Sequence, residues 1–314
     1  MAVINAGGDP ILYSGLETAN LRIAFMIERE VREQLADISS IRQFIPFYGD
    51  LAGQGTDAIT TRMWDGGAKT PFASVADGAD VTSSGSNSLT STITLGRSAL
   101  RYDISDLASF SGMGGGMDLD PFAIGAAMAR AAEARMQSIL CATFSSVTAS
   151  VGTTTVDLTV SNWLDAMYTL EIANNEGPYL CVLAPRQFAD LQAALRTENN
   201  NFLAYMPASA EMSKAKGQGY QGDLLGVSIF RSDYCATANA GADRVGCMFN
   251  PKAFGYAIGT PAPMVGAGAE IRNGPVQIEF QRDASKGLVE IVGSLYMGAS
   301  LVEDARACKI VTDA

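Results

Sequence analysis

The sequence contains no histidine. With the imidazole go the triads, metal sites and proton shuttles that depend on it. Its cysteines, Cys141, Cys181, Cys235, Cys247 and Cys308, include no C-x-x-C pair, so neither a zinc knuckle nor a thioredoxin-type site has ligand spacing to rest on. The odd cysteine count, and a start without a basic segment followed by an apolar one, predict folding in a reducing cytoplasm. No stretch approaches the roughly 18 apolar residues that a membrane span requires. Basic residues are scarce too: 22 Lys and Arg stand against 33 Asp and Glu, a net charge of -11 at pH 7. Phosphate neutralisation needs clustered Lys and Arg, and the chain has no such run. If DNA is nearby, such a chain is expected to contain it and not to grip it.

What is present is a chain of 314 residues with 47% hydrophobic content, enough to bury a large core in two domains or one elaborated domain. The strongest helical signal runs from Asp120 to Val147. Asp120 can accept from the free N–H groups of the first turn, and Pro121 sits where its missing N–H costs nothing. Phe122, Ala126, Ala129, Ala132, Met136, Ile139 and Thr143 recur at helical spacing and predict the packed side of a long, slim spine. Arg130, Glu133, Arg135 and Gln137 are expected on its wet side.

Before the spine, residues 1–13 read as an extended arm. Ser14 and Glu17 have capping-box spacing, and Leu16, Ile23, Ile27, Val31, Leu35 and Ile38 form one stripe, predicting an amphipathic helix from Ser14 to Ile38 that needs a partner surface. Short β-like runs follow, Ile59–Trp64 and Leu89–Leu100, separated by the polar segment Asp65–Ser88. Two strands so joined predict a hairpin that reaches away from the body and cannot bury a core alone.

After the spine comes an α/β rhythm. Ser161 is the expected cap of a helix carrying Trp163, Leu164, Met167 and Leu170. Tyr179–Leu183 reads as a buried strand, and Pro185 starts another helix through Phe188, Leu191 and Leu195. Glu198–Gly222 reads as a long loop. Strands resume at Val227–Phe230 and Val245–Phe249, then a hairpin, Val276–Arg282 with Leu288–Leu295, and a last strand near Ala307–Val311.

Motifs that could carry chemistry lack their companions. The glycines of Ser111–Met117 precede a helix, but no Lys-Ser/Thr follows them, and Asp118 and Asp120 would repel a phosphate. Ser213-Lys214-Ala215-Lys216 is a formal S-x-x-K, yet Ser232-Asp233 is followed by Tyr234 and there is no K-T-G. Acidic pairs such as Glu303 with Asp304 suit helix starts as well as cations. No catalytic, cofactor-binding or metal site is predicted.

The order of parts, with three local strings, resembles the major capsid protein of tailed bacteriophages, the HK97-like fold. Tyr102-Asp103-Ile104-Ser105-Asp106-Leu107 looks like the exit from that family's extended loop. Gly222-Asp223-Leu224-Leu225-Gly226-Val227-Ser228-Ile229 is similar to its G-x-L-x-G-x-P-V strand, with Ser228 where proline is frequent. Asp243 to Ala257 resembles the closing strand and turn of its axial domain.

The resemblance implies an α+β chain divided into an N-terminal arm with its helix (1–45), an extended two-stranded loop (46–103), a peripheral domain with the spine (104–148 and 262–314) and an α/β axial domain (149–261). It implies a structural, non-enzymatic protein that self-assembles through pentamers and hexamers into an icosahedral shell around phage double-stranded DNA, in the virion, after assembly in the host cytoplasm. Ile23, Ile27, Val31, Trp64, Lys69, Phe72, Val75, Arg130 and Arg135 are the expected intersubunit contacts. Expected partners are further copies of the chain, a portal, decoration proteins and, because no scaffolding segment fits before Ser14, a separate scaffolding protein or a removed one. No cross-link through Lys69 is predicted. An encapsulin-type compartment is the alternative shell, and a soluble serine hydrolase is the reading that the missing histidines oppose.

Overall fold

The computed structural model of the chain describes residues 29–30, 41–51, 54–64, 74–81, 88–105, 121–173, 177–197, 205–217, 219–259, 269–272 and 276–313. In chain order the strands are β1 (Phe47–Asp50), β2 (Ala58–Trp64), β3 (Ser88–Thr94), β4 (Gly96–Ser105), β5 (Ser150–Val151), β6 (Leu180–Leu183), β7 (Tyr205–Pro207), β8 (Tyr220–Leu224), β9 (Val227–Arg231), β10 (Ala236–Ala238), β11 (Asp243–Phe249), β12 (Phe254–Ile258), β13 (Ala269–Arg272), β14 (Val276–Asp283), β15 (Leu288–Leu301) and β16 (Ala307–Asp313). The helices are α1 (Pro121–Ala142), α2 (Val160–Ile172), α3 (Pro185–Thr197) and α4 (Ala210–Lys216).

The larger sheet has eight strands in the order β5-β16-β11-β6-β9-β8-β7, with β10 on β11. Both of its faces are buried at the centre, where β6 is apolar at every position. In β6, Leu180 and Val182 face one apolar core, while Cys181 and Leu183 face another. The strand period of two explains the split. The second core lies under α2 and α3, through Trp163, Leu170, Phe188 and Leu191. Gln187, fully buried on α3, accepts from the Ala184 amide at 3.1 Å and donates to Thr312 Oγ1 at 2.8 Å. Its polar ends are thus satisfied, which buried amides require.

The first core joins the other face of this sheet to the six-stranded sheet by way of α1. That second sheet runs β1-β12-β15-β14-β13, with β4 on the far side of β15. Phe144, Phe249 and Phe254 stack at centroid separations of 5.0 to 5.8 Å where the two sheets meet. The strands do not follow the 261/262 division: β12 hydrogen-bonds with β15 in the smaller sheet, and β16 lies between β5 and β11 in the larger.

The spine is a helix of 22 residues, about 33 Å long at 1.5 Å per residue. Ala129, Ala132 and Met136 are buried as expected, but the packed side also takes Met128, Leu140 and Cys141, while Ala126, Ile139 and Thr143 are half-buried. Glu133, expected in water, is buried. Gln137 Nε2 donates to its Oε1 at 3.3 Å, and burial pushes the carboxyl above its ordinary range despite the attraction of Arg42. A helix made largely of alanine has little contrast between its faces, so spacing alone leaves its rotation poorly specified.

Other expectations are corrected. The Leu89–Leu100 run breaks at Leu95 into β3 and β4, which pair with different partners, β2 and β15. The helix cap is Thr159, whose side chain accepts from the Asn162 amide; it is not Ser161. The Glu198–Gly222 segment contains β7, α4 and the start of β8. Of the Ser14–Ile38 helix, Arg29 and Glu30 alone are described, both helical; the 1–13 arm and the Ser111–Met117 glycines lie outside the described residues.

Candidate assembly surfaces

The β2–β3 ribbon is paired from Ala58↔Thr94 to Trp64↔Ser88. Such a ribbon is marginal by itself, and it leans on the body at one end. Ile93 is fully buried there, Ser91 Oγ donates to the Leu301 carbonyl at 2.7 Å, and the Leu95 amide donates to the Asp57 carbonyl at 2.8 Å. The ribbon crosses β15 so closely that a Cβ on Gly298 would stand 2.1 Å from the Thr94 carbonyl oxygen. That crossing therefore requires glycine. Leu89 has the same strand parity as Ser91 and Ile93 and would continue their inward face. It lies past the edge of the body and is 52% exposed.

A trough runs along α1 where the helix lies over β4, β14 and β15. One end, of about 470 Å³, is lined by Arg97, Leu100, Met128, Ala131 and Val276; the next depression, of about 600 Å³, by Ile139, Ala142 and Leu301. Arg135 borders both, with its Nε donating to Ser98 Oγ at 2.9 Å. Apolar floor under a polar rim is the build of a protein-binding groove.

The capsid protein of Ralstonia phage GP4 superposes with a TM-score of 0.58 at 10% identity, covering 86% of this chain and 87% of that one. This is the HK97-like fold. A chain of the holo-SrpI encapsulin complex from Synechococcus elongatus PCC 7942 matches with a TM-score of 0.58 at 11% identity over 88% of this chain and 90% of that one. A chain from Mycobacterium phage Che8 matches with a TM-score of 0.55 at 13% identity over 87% and 91%. No protein-family model and no curated protein matches the sequence.

Trp64 ends β2 opposite Ser88, and Val75 is exposed in the segment between the two strands. Arg130 and Arg135 project from the exposed side of α1, and Arg135 also rims the trough. Ile23, Ile27, Val31, Lys69 and Phe72 lie outside the described residues. The sequence reading missed the apolar stripe on the outside of α2, Leu164, Tyr168 and Ile172, all exposed. Its signal was the four-residue spacing.

The S-x-x-K string lies on α4, and its lysine is engaged elsewhere. Lys216 Nζ donates to Asp223 at 3.1 Å and to Ser228 Oγ at 2.9 Å, and sits 4.5 Å from the centre of the Tyr220 ring. Burial would raise the Asp223 carboxyl, but hydrogen bonds from Ser228 and Lys216 hold it below its ordinary value. The Lys216 ammonium is thus directed at Asp223 and Ser228 and not at the Ser213 hydroxyl. All the cysteines are buried, and burial raises the thiols of Cys181 and Cys247 well above their ordinary value and Cys308 to about 11. Such thiols are poor nucleophiles. Among the described residues no cluster of carboxylates and thiols could hold a metal ion, and no helix is long and apolar enough to cross a membrane.

Proposed function

We propose that this chain is the major capsid protein of a tailed phage, a structural subunit that forms pentamers and hexamers and closes into an icosahedral shell around double-stranded DNA. The observation that carries the reading is the β2–β3 ribbon, whose inward face continues past the body to an exposed Leu89. In a lone subunit that face has nothing to cover it; on a neighbour it would. The trough along α1 supplies a surface of the kind a neighbour's ribbon or arm would need. The net charge of -11 suits a wall that encloses a polyanion without sticking to it.

In this reading the segment 149–261 forms the axial domain at the capsomer centre, and 104–148 with 262–314 the peripheral domain, with β12 and β16 exchanged between them. Trp64, Lys69, Phe72, Val75, Arg130 and Arg135 meet neighbouring subunits, as do Ile23, Ile27 and Val31 of the N-terminal segment. A scaffolding protein, a portal and decoration proteins complete the set of partners, and the protein resides in the virion. A second reading keeps the shell and changes its contents, because the encapsulin protein shares the fold as well as the phage protein does, with the same TM-score of 0.58. Electron microscopy of the purified protein tests the shell, and nucleic acid content separates DNA from a protein cargo. Closed particles are expected. A 33.0 kDa monomer at all concentrations and salts would refute the reading.

A further inference from the structure

Cys141, Cys235 and Cys247 lie in the first core, Cys181 and Cys308 in the second. Strand register keeps most of them apart. Cys181 and Cys308 both stand opposite Met248, one on each side of β11, so they are two strand spacings apart, about 9.5 Å. That exceeds the roughly 7 Å between Cα atoms that a disulfide can span. Cys247 stands between Val182 and Lys309, with no cysteine opposite it on either neighbouring strand.

Cys141 and Cys235 are placed differently. Cys141 is the penultimate residue of α1, Cys235 closes the turn from β9 to β10, and α1 packs on β10. The Cys235 thiol is hydrogen-bonded to the Cys141 sulfur. At the other end of the same turn, Cys141 Sγ donates to Ser232 Oγ at 3.9 Å, and that hydroxyl accepts from the Tyr234 amide at 3.3 Å. Arg244 Nη1 donates to the Cys235 carbonyl at 3.2 Å. Two sulfurs thus meet in a polar nook at the margin of an apolar core. Both are buried, but Asp233 and Tyr234 beside them are exposed, so the turn that carries Cys235 is a surface turn.

We infer that Cys141 and Cys235 are a latent disulfide, a covalent clamp between the C-terminal end of the spine and the β9–β10 turn of the larger sheet, closed by a low-molecular-weight disulfide such as oxidised glutathione. At rest the hydrogen bond with Cys141 and then burial hold the Cys235 thiol well above its ordinary value, against the pull of Arg244. The pair is therefore inert until the turn lifts. The exposed Cys235 thiolate then attacks one sulfur of the small disulfide, and one small thiol leaves with the proton that Cys235 gave up. The Cys141 thiolate attacks the Cys235 sulfur of this mixed disulfide, the bond between the two cysteines forms, and the second small thiol leaves with the second proton. Two protein thiols are oxidised and one small disulfide is reduced to two thiols. In a reducing cytoplasm the exchange runs backward and the clamp stays open. The timing rests on the capsid reading, in which subunits assemble with the clamp open and close it once the particle has left the cell; the bond itself does not.

The test counts thiols in the full-length protein. Particles alkylated inside the cell should show all five cysteines free. Particles released and then incubated with oxidised glutathione should lose two of the five, and peptide mapping should join the Cys141 and Cys235 peptides. Melting should rise by about 5 to 10 °C, because a bridge across roughly 95 residues restricts the unfolded chain, and dithiothreitol should reverse both changes. Cys235→Ser should lose no thiol on oxidation and melt alike with and without oxidant. Cys235→Ala serves if serine perturbs folding, and the wild-type map decides the pairing without either variant. Thiols that all persist under oxidant, or a different linked pair, would overturn the proposal. A link that leaves melting unchanged or lowers it would overturn the clamp, and a link already complete inside the cell would overturn the open state. Closed shells with every thiol free would remove the link and leave the capsid reading intact, whereas linked subunits that never form shells would support the link and count against that reading.

Discussion

The eight-stranded sheet and the β2–β3 ribbon are made of similar strands but live in opposite conditions. β6 and β11 bury nearly every side chain between two cores. The ribbon buries Thr61 and Ile93, with Ser91 half-buried, where it touches β15, while Leu89 further along the same face is exposed. A strand in the sheet is held by its own subunit, and the ribbon past its root has no such support. The contrast locates stability in one region and leaves the other for the assembly role proposed above, and substitutions can test whether the two separate.

The largest effect should come from Met136, fully buried on the spine. Met136→Asp places an unpaired charge in the first core and should cost more than about 4 kcal/mol, enough to abolish soluble folded protein. Trp163→Ala in the second core should cost about 3 to 5 kcal/mol in denaturant titration. Soluble, wild-type-like melts for either would mean that the cores are misassigned. Replacing residues 65–87 by a short Gly/Ser turn should do the reverse. Shortening a loop has a small entropic effect, so one cooperative melt near wild type is expected by circular dichroism, while microscopy finds free subunits or open sheets instead of shells. Normal shells would break the comparison at its centre.

Ile93→Ala sharpens it. The substitution removes the apolar anchor of the ribbon's root, so amide exchange should speed up across 58–64 and 88–94 and stay unchanged in β6 and β11. Uniform acceleration would tie the ribbon into the global fold. A smaller change is expected from Glu133→Gln. Because the folded carboxyl titrates above the usual 4.5, the protonated acid is favoured by folding, and its contribution is present below that pH and lost as pH rises through the folded value. The variant should therefore melt higher than wild type at pH 7, with the gap closing below pH 4.5; a constant gap would point to packing instead. Arg135→Glu on the exposed side should change stability by no more than about 0.5 kcal/mol while reducing the yield of shells.

Much of this was legible in the residues. The pattern of the Ile59–Trp64 and Leu89 runs around a polar segment specified a hairpin, Pro121 and Pro185 marked helix starts, and the Val276 to Leu295 hairpin appeared where alternation placed it. These are local preferences, set by neighbours within a few positions. The missing histidines and sparse basic residues likewise needed no structure to exclude whole classes of chemistry. Tertiary structure decided the rest. The rotation of α1, the burial of Glu133, the break at Leu95 and the exchange of β12 and β16 between sheets all depend on partners far along the chain, such as β15 for β4 and Gly298 for Thr94. A run of alternating apolar residues states that a strand has an inner face, but only the packed molecule determines which surface covers it, because burial energy belongs to the pair of surfaces and not to either segment alone.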